Sequence, residues 1–236
     1  MKNNKIEKGD FVEIDYVGMI KDEDKVFDTT KKKVADKNDL NPEADYKPIT
    51  ICIGEEHILP ALEEQLEGKK TGEYKFELSP EEAFGKKSAK LLKLVPRKVF
   101  RQQDIQPFPG LEVNIDNNFG IVRSVSGGRV IVDFNHPLSG RDLVYEIEVK
   151  RFVEDKKEKL ESYLNISQIP YDSASVKEKK ATIVLPQELP DPMKEEFEKK
   201  VKELMDIEDI NYVTKKGEEK KKEEKPNKEE EKKDKK

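Results

Sequence analysis

The 236-residue sequence predicts an α+β fold. It reads as an antiparallel β-sheet wrapped on a short helix, with a small β-rich domain inserted into it and a small α+β domain at the C-terminal end. Three observations carry this reading. Residues 10–20 and 143–153 alternate apolar and polar positions at period two, as strands with one buried face do. Residues 56–67 place Ile58, Leu59, Leu62 and Leu66 at helical spacing, with Gly68 just behind them as a C-terminal cap. Between helix and last strand, from Lys87 to about Phe134, the pattern changes; an insertion at a loop tip costs little closure entropy.

Taken in order, the first strand is followed by Lys25 to Thr30 and then a polar segment to Lys47. Its Asn41-Pro42 and weak periodicity predict a long loop or bulge. Residues 48–53 form a strand closed by Gly54, residues 73–78 alternate again, and Ser79-Pro80-Glu81-Glu82 has the character of a turn or a helix start. Inside the insertion, two basic apolar runs precede a turn at residues 106–110. Strands then follow at 111–115, 119–125 and 129–134, with Asn117-Asn118 and Gly127-Gly128 as hairpin turns. Beyond residue 153, a helix is expected over 155–164 and a strand over 181–185. A second helix, 190–205, carries Met193, Phe197, Val201 and Leu204 on one face behind Asp191-Pro192, and a last strand covers 210–213. The domain limits are therefore 1–87 with 134–153, then 88–133, then 154–214, and a low-complexity tail at 215–236. A C-terminal domain of this size is marginal alone, so docking on the rest of the chain or pairing as a homodimer is expected of it.

Composition narrows the function classes. Charged residues make up 41% of the chain and hydrophobic ones 34%, but the excess charge is concentrated in the tail, which is expected to be disordered. That tail holds eleven Lys against eight Asp and Glu, a balance of +3, so with a total of −5 the rest of the chain stands near −8. An acidic folded part argues against specific nucleic-acid binding, which relies on clustered Lys and Arg; the tail leaves a weak ribosome contact open. Lone Cys52, set between Ile51 and Ile53, reads as a small buried hydrophobe. The polar start of the chain and the lack of any apolar stretch near the ~18 residues of a membrane helix point to the cytoplasm, with no membrane partner. His57 and His136 stand far apart in sequence without a Cys neighbour, so no metal site and no cofactor are expected.

Seven short motifs occur in order: Gly9-Asp10-Phe11-Val12 to Tyr16-Val17-Gly18, Val26-Phe27-Asp28-Thr29, Ile53-Gly54 to Ile58-Leu59-Pro60-Ala61-Leu62-Glu63, Gly68 to Gly72-Glu73, Ser79-Pro80, Ala83-Phe84-Gly85, and Leu143-Val144-Tyr145. Together they resemble the FKBP-type peptidyl-prolyl cis/trans isomerases. Leu94-Val95-Pro96-Arg97-Lys98-Val99-Phe100 and the return through Val132 to Gly140 resemble the SlyD-like subgroup, whose flap carries an inserted chaperone domain. The C-terminal extension is similar in general plan to long archaeal members.

The resemblance implies an FKBP fold and a chemistry that the composition can support. Rotation about a peptide bond faces a barrier of ~18–20 kcal/mol because the nitrogen lone pair is delocalised into the carbonyl. The twisted transition state is less polar than the planar amide, so transfer into an apolar pocket favours it, with no acid, base or nucleophile. Carried over by position, the family's pocket implies Tyr16, Phe27, Asp28, Ile49, Ile58, Leu59, Leu62, Phe84 and Tyr145. Phe27, Phe84 and Tyr145 would clasp the proline ring, Leu62 would floor the pocket, Tyr16 and Asp28 would give a polar wall, and the Leu59 amide would hold a substrate carbonyl. Leu62 stands where Trp is common in the family and Ile49 where Phe is frequent, which implies a smaller pocket and weaker macrolide binding. In the insertion, Leu94, Val95, Phe100, Phe108 and Phe119 are candidate chaperone residues, because a unit this small cannot hide so many apolar side chains. The partners implied are unfolded or nascent proline-containing polypeptides. Two alternatives stay open at this point: a holdase with an inactive pocket, and a scaffold for the ribosome or another partner.

Overall fold

The computed structural model describes residues 4–214, so expectations about the 215–236 tail lie outside the described residues. Its centre is β1 (Phe11–Ile20), which pairs antiparallel with β2 (Lys25–Thr29), β3 (Ile49–Cys52) and β9 (Leu143–Phe152). Strand β4 (Gly72–Leu78) pairs with β9 on its other side. This antiparallel sheet wraps α2 (Pro60–Leu66), whose Leu62 and Leu66 are buried with Val12, Ile14, Leu78 and Ile147. Proline at the first helical position starts α2 where an amide would go unpaired, and Gly68, at φ +76°, lets the chain turn away after it. Ser79 and Glu82 form a capping box on a single 3₁₀ turn.

Three departures concern this part. The helix expected over 56–67 begins only at Pro60, so Ile58 and Leu59 lie in the irregular segment before it. The segment expected as a loop holds a one-and-a-half-turn helix, α1 (Lys32–Lys37), which buries only Ala35 and has no side-chain N-cap, so it left no periodic mark. Strand β1 does not have a single buried face. Val12 and Ile14 point into the core with α2, whereas Phe11 on the opposite face is buried against the C-terminal elements, together with Cys52 of β3. Further along, that face carries Asp15, held by Thr30 at 2.7 Å and by Lys150 at 2.6 Å. Burial of Asp15 opposes its charge, but these partners outweigh it and its carboxyl titrates below the ordinary range.

The inserted segment forms its own four-stranded sheet, in the order β5 (Leu92–Pro96), β8 (Arg129–Asp133), β7 (Asn118–Ser126), β6 (Glu112–Ile115), all antiparallel. One short helix, α3 (Arg97–Gln102), covers it, and Phe100, Val113, Val122, Val130 and Val132 make a small core. The expected hairpin at Gly127-Gly128 is present, both at positive φ. The other turn is displaced by one residue from the Asn117-Asn118 expected: Asp116 and Asn117 take the positive φ values while Asn118 already pairs with Ile115. The chain enters and leaves this sheet side by side, where Ser88 N donates to Asn135 Oδ1 at 2.7 Å and Asn135 Nδ2 donates back to the Ser88 carbonyl at 3.1 Å.

The C-terminal elements are α4 (Lys156–Ile166), capped by the Asp155 side chain, a hairpin of β10 (Ser173–Lys177) and β11 (Lys180–Leu185), then α5 (Asp191–Met205) crossing back to β12 (Asp209–Thr214), parallel to β11. Strand β10 is not marked in the sequence, because Ser-Ala-Ser-Val-Lys has little strand character. Leu160, Leu164, Phe197, Val201 and Met205 of the two helices are buried in one cluster with Phe11, Cys52 and Val153, while Met193 stays exposed. Among the described residues, no helix is long and apolar enough to cross a membrane.

Candidate active site

A cavity of about 200 Å³ opens between the concave face of the main sheet and the start of α2, lined by Ile14, Tyr16, Asp28, Ile49, His57, Ile58, Leu59, Leu62, Tyr145 and Ile147. It is smaller than the ~300–1,000 Å³ typical of sites for drug-sized ligands, and so suits one ring-sized group. Strand β1 supplies Ile14 and Tyr16, two residues apart on one face; β9 supplies Tyr145 and Ile147 in the same way. Leu62, buried at the base of the cavity on α2, takes the place of a floor.

Of the nine residues that sequence reasoning assigned to a pocket, Tyr16, Asp28, Ile49, Ile58, Leu59, Leu62 and Tyr145 line this cavity together. Phe27 and Phe84 are placed differently. Phe27 lies edge-on to Tyr145, ring centroids 5.8 Å apart, and supports that ring instead of lining the cavity. Its space exists because Gly18 has no side chain: a Cβ there would stand 2.7 Å from Phe27 Cζ and 3.2 Å from Tyr145 Cε1. Phe84 stacks flat on His136 at 4.3 Å, and its carbonyl accepts from Ser139 Oγ at 2.9 Å, tying it to the segment that returns from the insert. Sequence reasoning missed Ile14 and Ile147, for which the alternation of β1 and β9 was a usable signal, and His57, for which there was none.

The polar wall is built by Tyr16, whose hydroxyl donates to Asp28 Oδ2 at 2.6 Å. Burial, reinforced by this bond, pushes the Tyr16 phenol well above its ordinary value, and burial with the nearby Asp28 charge does the same for Tyr145. Both rings therefore stay protonated at neutral pH. His57 Nδ1 accepts from the Cys52 amide at 3.0 Å, which leaves the proton of the neutral ring on Nε2. Burial depresses its basicity, against the pull of Glu63 and Glu55. Glu63, buried on α2, gathers the segment before the helix: its carboxyl oxygens accept from the amides of Gly54 at 2.7 Å and His57 at 2.8 Å, with a longer contact to Glu56 at 3.3 Å. Cys52 itself is fully buried, and burial pushes its thiol up to about 12, so it is inert packing, as its isoleucine neighbours implied.

On the insert, the candidate chaperone residues divide into two groups. Leu94 and Phe108 are each 56% exposed and Phe119 73%. Phe100, by contrast, is buried in the small core with Val95 packed against it, so Phe100 is corrected from a surface residue to a structural one. It sits on α3, a helix that sequence reasoning did not see, and faces the sheet. Leu92 and Ile131, also exposed, join Leu94 on the outer face through the pairing of Leu94 with Ile131.

Comparisons with known proteins identify the family. A family model described as "FKBP26, IF domain" matches residues 93–138. A short-type peptidyl-prolyl cis-trans isomerase of Methanocaldococcus jannaschii is 32% identical over 149 residues, spanning 62% of this chain and 94% of that protein. The FKBP-type isomerase SlyD of Haemophilus influenzae is 33% identical over 109 residues, covering 44% of this chain and 56% of that one. A 16 kDa FKBP-type isomerase of Escherichia coli is 34% identical over 109 residues, covering 44% and 72%. With nearly the whole of the archaeal relative matched and a sheet wrapped on one helix around a small apolar cavity, the chain belongs to the FKBP-type peptidyl-prolyl cis-trans isomerases.

Proposed function

We propose that this isomerase works on unfolded or nascent chains with two sites: the insert holds the polypeptide, and the cavity between β1, β9 and α2 rotates its X-Pro bonds. The cavity carries the catalytic half of this reading. Its lower wall is Ile14, Ile49, Ile58, Leu62 and Ile147, an apolar lining that favours the less polar twisted amide over the planar one. The Leu59 amide, which donates no hydrogen bond among the described residues, is the donor for the substrate carbonyl, and the Tyr16–Asp28 pair orients the chain at the rim. Tyr145, backed by Phe27, is the aromatic wall on the proline ring. No proton moves, which suits two phenols that stay protonated.

The single observation behind the binding half is the outer face of the insert. Leu92, Leu94, Ile131, Phe108 and Phe119 are exposed on a unit whose whole core is five buried side chains. Large exposed apolar groups gathered on one small unit mark a binding surface. Held near the cavity, a captured chain presents its prolines at a raised local concentration. A buried, unpaired thiol at Cys52 fits the reducing cytoplasm as the compartment.

Replacing residues 88–133 by a short Gly-containing loop tests the division of labour. Ser88 and Asn135 are already bonded to each other, so the ends are close enough to join. Tetrapeptide isomerisation should stay within a few-fold, because the cavity residues lie outside the replaced segment, while proline-limited refolding of a denatured protein should fall roughly tenfold, the effect of losing ~1.4 kcal/mol of capture affinity. A shortened protein that refolds clients as well as the full chain would move the binding site off the insert.

A further inference from the structure

The rim of the cavity is an irregular segment, residues 54–59, whose shape is not set by local preference. Gly54 and Glu56 both have positive φ, +93° and +56°, and for glutamate that conformation is disfavoured. Contacts from outside hold it. Glu63 gathers its amides from below, and a second set arrives from the C-terminal elements. Lys200 of α5 donates to Glu55 Oε1 at 2.8 Å, in a pair where the Glu55 side chain is 13% exposed. Tyr163 of α4 donates to Glu55 Oε2 at 3.4 Å and lays its ring 5.5 Å from that of His57, at 56°. Phe197 of α5 stands 5.7 Å behind Tyr163, so both helices bear on the same contact. His57 touches both sides, because it lines the cavity and meets Tyr163.

We propose that the C-terminal unit is a working part of the isomerase site, with Tyr163 and Lys200 as positioning residues that fix segment 54–59 and, through His57, Ile58 and Leu59, set the shape of the prolyl cavity. This rests on the reading of that cavity as the catalytic pocket. A unit that only docked would need no more than the apolar patch of Phe11, Cys52 and Val153. The contacts at Glu55 and His57 instead reach the one stretch of backbone that carries the Leu59 amide. Displacement of reacting groups by about 1 Å can cost ~10²-fold in rate, so a rim held from two sides is sensitive to the loss of either.

The test uses the full chain and four variants, Tyr163→Leu, Tyr163→Phe, Lys200→Met and Tyr145→Leu, each followed by tetrapeptide kcat and KM and by the His57 ring signals in ¹H–¹³C NMR. Tyr163→Leu should lower kcat/KM by roughly tenfold and shift the His57 signals, and Tyr163→Phe, which keeps the ring, should stay within about twofold. Lys200→Met should lose about threefold and shift His57 in the same direction. A folded Tyr163→Leu protein with ordinary turnover overturns the proposal; a loss shared equally by the Leu and Phe variants assigns the hold to the hydroxyl bond with Glu55 and supports it. Should Tyr163→Leu fail to fold, Lys200→Met decides: unchanged turnover and unchanged His57 signals overturn the proposal. Tyr145→Leu separates the two readings. If it loses activity while the Tyr163 and Lys200 variants keep theirs, only the coupling has failed; if it keeps full activity, the pocket itself has been misplaced.

Discussion

The Tyr16 hydroxyl donates to Asp28 across 2.6 Å, and that bond orients a chain of three rings: Tyr16 stands 6.2 Å from Tyr145, which in turn receives the edge of Phe27 at 5.8 Å. Asp28 lies on β2 and Tyr16 on β1, so the bond also fixes the edge strand against the centre of the sheet. Asp28→Leu would leave a half-buried phenol without its acceptor at a solvent-accessible bond, a loss of about 1 kcal/mol, whereas removing both partners is nearly neutral. The expected outcome is that Asp28→Leu lowers stability in urea and cuts tetrapeptide kcat/KM by roughly tenfold. Adding Tyr16→Phe should restore much of the stability without restoring the activity. If the double variant is less stable than Asp28→Leu alone, the bond is not what holds this wall.

Gly18 is the second test of the aromatic wall. Its φ is not in the left-handed region, so Ala meets no backbone objection there; the obstacle is the 2.7 Å approach to Phe27 Cζ. Gly18→Ala should destabilise by ~1–3 kcal/mol through overpacking and reduce turnover by pushing Phe27 against Tyr145. Phe27→Leu in the same protein should recover part of the stability. Thermal unfolding of the single and double variants gives the answer, and equal melting points for wild type and Gly18→Ala would show that the rings have room to spare.

In the insert, core and surface should separate cleanly. Phe100→Ala removes the largest side chain of a very small core and should cost ~3–5 kcal/mol locally, seen as loss of amide exchange protection over residues 92–133 with the main sheet still protected. Leu94→Lys, on the outer face, should leave protection unchanged but weaken suppression of client aggregation. Equal protection loss in both variants would contradict the assignment of faces.

His57 predicts an acid limit. Burial lowers its value in the folded protein below the ordinary 6.5, with Glu63 and Glu55 pulling upward and Lys200 pushing downward beside it, and Tyr163 covering its ring. The folded state therefore binds fewer protons than the unfolded one in this range. Stability is fully present above about pH 6.5 and declines as pH falls from there through the lower folded value. Protonation also places a hydrogen on Nδ1, which accepts from the Cys52 amide, so that bond is lost. Melting temperature measured from pH 7.5 to 5 should drop more for wild type than for His57→Gln, which keeps a neutral acceptor. Parallel curves would place the acid-sensitive group elsewhere.

The strands β1, β3, β4 and β9 and helix α2 were legible because each writes a period of two or 3.6 into its own residues, and the order of short motifs around them brought the cavity residues from Tyr16 to Tyr145 into one list. Helix α1 and strands β5 and β10 were not legible: each is short, each buries little, and the pattern that marks an element is made by burial. The Asp116-Asn117 turn slipped by one residue because Asn and Asp accept positive φ almost equally well.

Alternation in the sequence determined that Val12, Ile14, Tyr145 and Ile147 share faces, since side-chain direction along a strand follows from backbone geometry alone. Only the tertiary structure decided what covers the opposite face at Phe11 and Cys52, that Phe27 and Phe84 support rings instead of lining the cavity, and that His57 lies between the cavity and Tyr163. Most such contacts join residues far apart in the chain, over a hundred positions for Tyr163 and Glu55 or Lys200 and Glu55. Nothing local encodes such pairs, because they arise where two independently formed surfaces meet, and burial is a property of the meeting, not of either segment.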